Sequence, residues 1–138
     1  MIVLPILKGL VLTLGRLFSK PITVQYPEER IPPAPRWRGA QYFERDERGK
    51  TKCVACGLCM IVCPSQCIYI ETAEEVDGRR VPLTYELDVT RCIFCGFCEE
   101  ACPVKAIFMG KTYEWVESQR KPLLMDTEKL LEEKANNP

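Results

Sequence analysis

Eight of the nine cysteines fall into one pattern written twice. Cys53, Cys56, Cys59 and Cys63 are followed by Pro64, and Cys92, Cys95, Cys98 and Cys102 by Pro103. Both runs read C-x2-C-x2-C-x3-C-P, the spacing that holds bacterial-type [4Fe–4S] clusters. A cubane needs four thiolates converging on one small object. Two intervening residues let a tightly wound loop present three of them, and the fourth cannot come from the same loop without strain. Where two such motifs share a chain, the fourth ligand comes from the far motif. The expected ligand sets are therefore Cys53, Cys56, Cys59 and Cys102 for one cluster, and Cys92, Cys95, Cys98 and Cys63 for the other. Crossing of this kind couples folding to metal binding. Two complete motifs imply two [4Fe–4S] clusters and single-electron transfer through the chain.

The repeat is wider than its cysteines. A shift of 39 positions lays Thr51-Lys52-Cys53 on Thr90-Arg91-Cys92, Gly57 on Gly96, Pro64 on Pro103 and Ile68 on Ile107. Self-similarity at a fixed period reads as one unit duplicated. Gly57 and Gly96 allow close backbone approach to a cluster, and N–H groups there can point at sulfur. Pro64 and Pro103 stiffen the exit from each last cysteine. Val54, Ile61, Val62, Ile68, Ile93, Phe94, Phe97 and Ile107 are the expected apolar jacket. Water exclusion and hydrogen bonding place such centres within a span of roughly −700 to +450 mV. The ninth cysteine, Cys67, falls on Ala106 under the same shift. It reads as a small buried residue beside a cluster; a redox or substitute-ligand role is the sharper alternative.

Other cysteine chemistries fit poorly. Zinc favours separated cysteine pairs or cysteine–histidine sets, and the chain has no histidine. A disulfide framework suits secreted proteins, but the cysteine count is odd and no small-residue cleavage site follows the first apolar stretch. Nineteen basic and nineteen acidic side chains cancel, which argues against the concentrated positive surface of a nucleic-acid binder. Thiolate-bound clusters imply a reducing interior.

The elements that must hold these ligands follow from the remaining residues. Residues 51–110 form the duplicated cluster domain. Within it, Gly57–Val62 and Gly96–Ala101 are expected as short helices leading into each last cysteine. Cys67–Glu71 alternates as a strand, Asp77-Gly78 is a turn signal, Val81–Leu87 can pair back, and Ile107–Met109 repeats the first strand. The fold class is α+β, a bacterial-type two-[4Fe–4S] ferredoxin-like core with an N-terminal amphipathic helix and an extended arm.

Residues 1–20 form that helix. At about 100° per residue, Ile6, Leu7, Leu10, Val11, Leu14, Leu17 and Phe18 share one side. Lys8, Gly9, Thr13, Arg16, Ser19 and Lys20 share the other, with Leu12 as the exception. Pro5 suits the first turn. A bilayer crossing needs about 20 apolar residues, so this shorter, charged run reads as an interfacial or partner-docked helix. Residues 21–50 hold five prolines, at 21, 27, 32, 33 and 35, and are expected to run extended over a surface. Residues 111–138 are a charged docking tail, with Asp126 or Thr127 capping a short helix through Lys134 and turning Leu130 and Leu131 inward.

The order of these parts carries a resemblance. Amphipathic helix, Val24-Gln25-Tyr26-Pro27-Glu28-Glu29, Pro35-Arg36-Trp37-Arg38-Gly39, two cluster motifs and Lys129-Leu130-Leu131 together resemble the two-cluster ferredoxin-like subunit of NADH:quinone oxidoreductase, respiratory complex I. The stretch C-I-F-C-G-F-C-E-E-A-C-P-V-K-A-I is also similar, whereas Cys67 stands where the family usually has a small residue such as alanine. The resemblance implies a non-catalytic electron-relay subunit of an enzyme. It would sit peripherally on the cytoplasmic side of the membrane. Its partners would be an upstream large iron–sulfur subunit, a downstream subunit with the terminal, quinone-reducing cluster, and the membrane arm. Two rivals differ in class or context: a diffusible two-cluster ferredoxin, or the equivalent subunit of a ferredoxin-dependent or hydrogenase membrane complex. A diffusible carrier needs neither the apolar helix nor the proline-rich arm, and both would be liabilities in solution.

Overall fold

A computed structural model describes residues 3–74 and 80–136. It divides into two compact units, residues 1–32 and 33–138. The Asp77-Gly78 turn lies outside the described residues.

The first unit holds helix α1, Val3–Leu17. Pro5 sits in its first turn, where the missing N–H costs nothing. No α1 residue is buried, and Ile6, Leu7, Leu10, Val11, Leu14 and Leu17 are all more than half exposed. No helix among the described residues is long and apolar enough to cross a membrane.

The second unit is built from short elements around the cysteines. Strand β1 is Gln41–Phe43, helix α2 Leu58–Val62, strand β2 Ile68–Glu74, strand β3 Arg80–Asp88, helix α3 Phe97–Glu100, strand β4 Ile107–Met109, strand β5 Leu124–Met125 and helix α4 Thr127–Asn136. Single 3-10 turns span Val89–Arg91 and Lys121–Leu123. One sheet has the order β2-β3-β5, the other the order β1-β4, and each pairing is antiparallel. The expected strand after each motif, the return strand and both short helices are present.

The arm differs from the expectation in its last third. Residues 39–43 leave the surface and enter the core: Ala40, Gln41 and Phe43 are buried, and β1 pairs with β4 in the register Gln41↔Met109 and Phe43↔Ile107. The physical reason is that β4 has no hairpin mate of its own, so its backbone groups require a partner from elsewhere in the chain. Gly39 makes the entry possible, because a Cβ there would strike the Thr112 carbonyl.

Helix α4 packs on β1. The Asp126 carboxylate accepts from the Lys129 N–H at 2.9 Å, the capping geometry that satisfies an otherwise orphaned donor. Leu130 is fully buried and Leu131 partly so. The core comprises Phe43, Ile68, Tyr85, Leu87, Val89, Ile107, Met125 and Leu130 around buried cysteines, with Phe43 edge-on to Tyr85 at 4.7 Å between centroids.

Candidate metal centres

Each motif is wound by the same backbone. Ala55 and Phe94 take the left-handed conformation at φ 51° and 52°, and Gln66 and Lys105 do so at 48° and 47°. Non-glycine residues seldom adopt this conformation, and here it recurs at positions related by the repeat. Gly57 and Gly96, at φ 78° and 81°, then open α2 and α3. The expected role of these glycines is thereby refined: it is the left-handed backbone that demands them.

The winding aims amides at sulfur. Ala55 N–H donates to Cys53 Sγ and Phe94 N–H to Cys92 Sγ, each at 3.4 Å. At the other end Ala106 N–H donates to Cys102 Sγ at 3.2 Å, and Cys67 N–H serves Cys63 in the same way. N–H donors of this kind stabilise charge on a ligand sulfur.

The cysteines of the two motifs are neighbours, although among the described residues no three His, Cys, Asp or Glu side chains converge tightly enough to hold a single metal ion. Cys102 lies close enough to Cys53 and Cys59 to raise their pKa values by charge repulsion, and Cys56 acts on both as well. Cys63 and Cys67 line one pocket with Cys92, Cys95 and Cys98. Burial first, and repulsion among neighbouring sulfurs after it, push Cys59 up to about 11 and Cys98 up to about 12. Cys53, Cys59 and Cys98 are buried whereas Cys56 is exposed; thiolates at the three buried positions need cationic charge beside them, and ferric and ferrous iron supply it. The donor set, its burial and its amide cradle fit a [4Fe–4S] cluster in each half.

Cys67 is buried, with its Sγ 3.4 Å from Cys63 Sγ. Burial pushes its thiol up to about 12. Cys63 moves the other way: against its desolvation, the Ser65 hydroxyl at 3.5 Å and the Cys67 N–H lower it.

The apolar jacket is only partly the expected one. Ile68 and Ile107 are buried and Val54 and Phe94 half-buried, but Ile61, Val62, Ile93 and Phe97 are exposed. Helices α2 and α3 and the loop at Ile93 turn cysteines inward and so turn these neighbours out. Their places in the jacket are taken by Phe43, Ala55, Tyr85, Leu87, Val89 and Ala106.

Three further residues touch the centres. Arg38 donates to the Cys95 carbonyl and pairs with Glu100 at 3.1 Å, clamping the second loop across Gly96, where a Cβ would meet its guanidinium at 2.8 Å. Tyr85 places its hydroxyl 3.9 Å from Cys59 Sγ. Gln41 donates from Nε2 to Cys92 Sγ at 3.0 Å. Alternation along β3 points Tyr85 inward and would have found it. Gln41 carries no signal in its own sequence neighbourhood, because its place depends on pairing with a strand far along the chain.

Comparison with known proteins agrees with this geometry. The 4Fe-4S dicluster domain family matches residues 52–106. NADH-quinone oxidoreductase subunit I 2 of Rhizobium meliloti (strain 1021) is 48% identical over 124 residues, covering 89% of this chain and 66% of its own length. Subunit I 1 of Geobacter sulfurreducens is 43% identical over 132 residues, covering 96% of this chain and 99% of its own. A chain of the membrane-bound sulfane sulfur reductase, an archaeal respiratory membrane complex, superposes with a TM-score of 0.55 at 32% identity, covering 80% of this chain and 55% of that one. The chain belongs to the NADH-quinone oxidoreductase subunit I family and carries two [4Fe–4S] clusters for electron transfer.

Proposed function

We propose that the chain is an electron relay inside a respiratory membrane complex. It would receive single electrons from a large iron–sulfur subunit and pass them to a neighbour bearing the terminal, quinone-reducing cluster. When bound, the clusters supply reversible one-electron chemistry. The ligands proposed are Cys53, Cys56, Cys59 and Cys102 in one set and Cys92, Cys95, Cys98 and Cys63 in the other. The chain's own residues hold these centres, donate hydrogen bonds to their sulfurs and exclude water.

The observation that carries the reading is the doubled motif, whose proposed ligand sets are each completed from the far half. Ile61, on helix α2, and Ile93, in the second ligand loop, are 77% and 62% exposed and sit within the two cysteine motifs. Apolar side chains at that place suit faces covered by other subunits, as a relay needs. Helix α1, with its exposed apolar side, its Lys8 and Arg16 and Lys20 just beyond its end, would meet the membrane arm or the lipid interface on the cytoplasmic side.

Turnover in the assembled complex tests the relay. A Cys63→Ser subunit that still assembles should abolish NADH-to-quinone electron transfer. Transfer from NADH to an artificial acceptor reached upstream should persist. Quinone reduction at the normal rate without one cluster would refute the relay. The likeness to the sulfane sulfur reductase chain favours one second reading, in which the donor is not NADH. A purified complex that reduces quinone with another donor and ignores NADH would select it.

A further inference from the structure

Strand register relates Gln41 to Tyr85. Ile70 and Met109 are equivalent in the repeat, 39 positions apart. Ile70 pairs with Tyr85 and Met109 pairs with Gln41. The two partner strands thus deliver one buried polar side chain to each half, Tyr85 toward Cys59 and Gln41 toward Cys92. The two contacts are unequal. The Tyr85 hydroxyl stands 3.9 Å from its sulfur, whereas the Gln41 amide is 3.0 Å from Cys92 Sγ.

Gln41 is only 2% exposed, and its Oε1 has no hydrogen-bond partner among the described residues. Turning the amide over would bring Oε1 against the sulfur lone pairs and lose the donor. The buried amide is therefore held with its carbonyl unsatisfied so that its N–H can meet sulfur. An orphaned buried acceptor is destabilising, so a structural side chain would serve the fold better here.

We infer that Gln41 is a tuning residue: its Nε2–H stabilises the added electron at the centre bound by Cys92 and raises that centre's reduction potential relative to its partner. A hydrogen bond to a ligand sulfur favours the more negative, reduced state. A full-length amide at 3.0 Å does so more strongly than a hydroxyl at 3.9 Å. The inference rests on Cys92 being a ligand, as proposed above.

Voltammetry of the full chain, reconstituted anaerobically with iron and sulfide, tests it. Gln41→Leu with a full iron complement should lower one of the two waves by a roughly tenfold change in its reduction equilibrium, about 59 mV for one electron. The other wave should stay, and Tyr85→Phe should leave the Gln41-sensitive wave in place. Unmoved waves, or two waves that move together, would overturn the inference. Should Gln41→Leu bind less iron, Gln41→Met keeps the side-chain length and removes only the amide. If neither variant loads, side-chain 15N-glutamine in the unaltered chain should couple to a reduced centre, since Gln66 beside Cys67 is exposed; no coupling overturns the proposal. Cys92→Ser separates the two claims. If it keeps both clusters, the ligand reading fails; if it loses one while Gln41 variants shift nothing, only the tuning role fails.

Discussion

At the scale of single residues, Cys63 and Cys67 present two sulfurs 3.4 Å apart with opposite duties. Cys63 has the Ser65 hydroxyl and an N–H to support negative charge, while burial keeps Cys67 a thiol. Cys67→Ala should retain both clusters and most electron transfer, because Ala106 fills the equivalent place in the other half. Iron and sulfide analysis with EPR checks this, and loss of a cluster would show that Cys67 is a ligand. Cys63→Ser should instead damage the centre held by Cys92, Cys95 and Cys98. Loss of the other centre alone would reverse the crossed assignment. These ligands are legible in the sequence because a cubane dictates residue type and spacing together. Gln41, Tyr85 and Arg38 are less so, since a polar side chain gains its role only from the sulfur or carbonyl that tertiary pairing brings to it.

At the scale of elements, periodicity exposes the parts whose neighbours are close in the chain. The strand after each motif, the return strand β3, the two short helices and α4 all follow from local pattern and capping. Strand β1 does not, because Gln41-Tyr42-Phe43 owes its conformation to β4, more than sixty positions away. Helix α4 provides a stability test. Leu130 is 0% exposed, so Leu130→Ala should cost about 2–5 kcal/mol. Asp126→Ala, which removes only the cap, should cost about 1 kcal/mol. Chemical denaturation of the iron-loaded protein measures both, and equal effects would contradict the packing of α4 on β1. Helix α1 makes the opposite prediction. Deleting residues 1–20 should leave both clusters' spectra intact and weaken attachment to salt-washed membranes or to the complex. Unchanged attachment would make the proline-rich arm the main tether.

At the scale of the whole molecule, the cysteines occupy the place of a larger apolar core. Cys53, Cys59, Cys67 and Cys98 are among the fifteen buried apolar residues found in the described part of the chain, and they belong to the same core cluster as Phe43, Tyr85, Leu87 and Ile107. Each proposed ligand set draws three thiolates from one half and one from the other, so iron joins the halves as a cross-link would. Structural zinc contributes about 10–16 kcal/mol to finger peptides, comparable with the whole stability of an ordinary domain, about 5–15 kcal/mol, and a cluster that joins two halves is expected to act on that scale. Iron removal should therefore abolish the cooperative unfolding transition of residues 33–138 rather than merely lower its midpoint. In the folded chain burial pushes the Cys59 and Cys98 thiols up to about 11 and about 12, so iron binding must displace their protons. Near-UV circular dichroism and calorimetry before and after anaerobic chelation decide the matter. Loss of near-UV signal together with the calorimetric peak is the expected outcome. With the proposed crossed sets, Cys63→Ser should also broaden unfolding in both halves, beyond the motif that contains it. A chelated chain that keeps a sharp transition would mean that Phe43, Tyr85, Leu87, Ile107 and Leu130 hold the fold alone, with the iron serving only electron transfer.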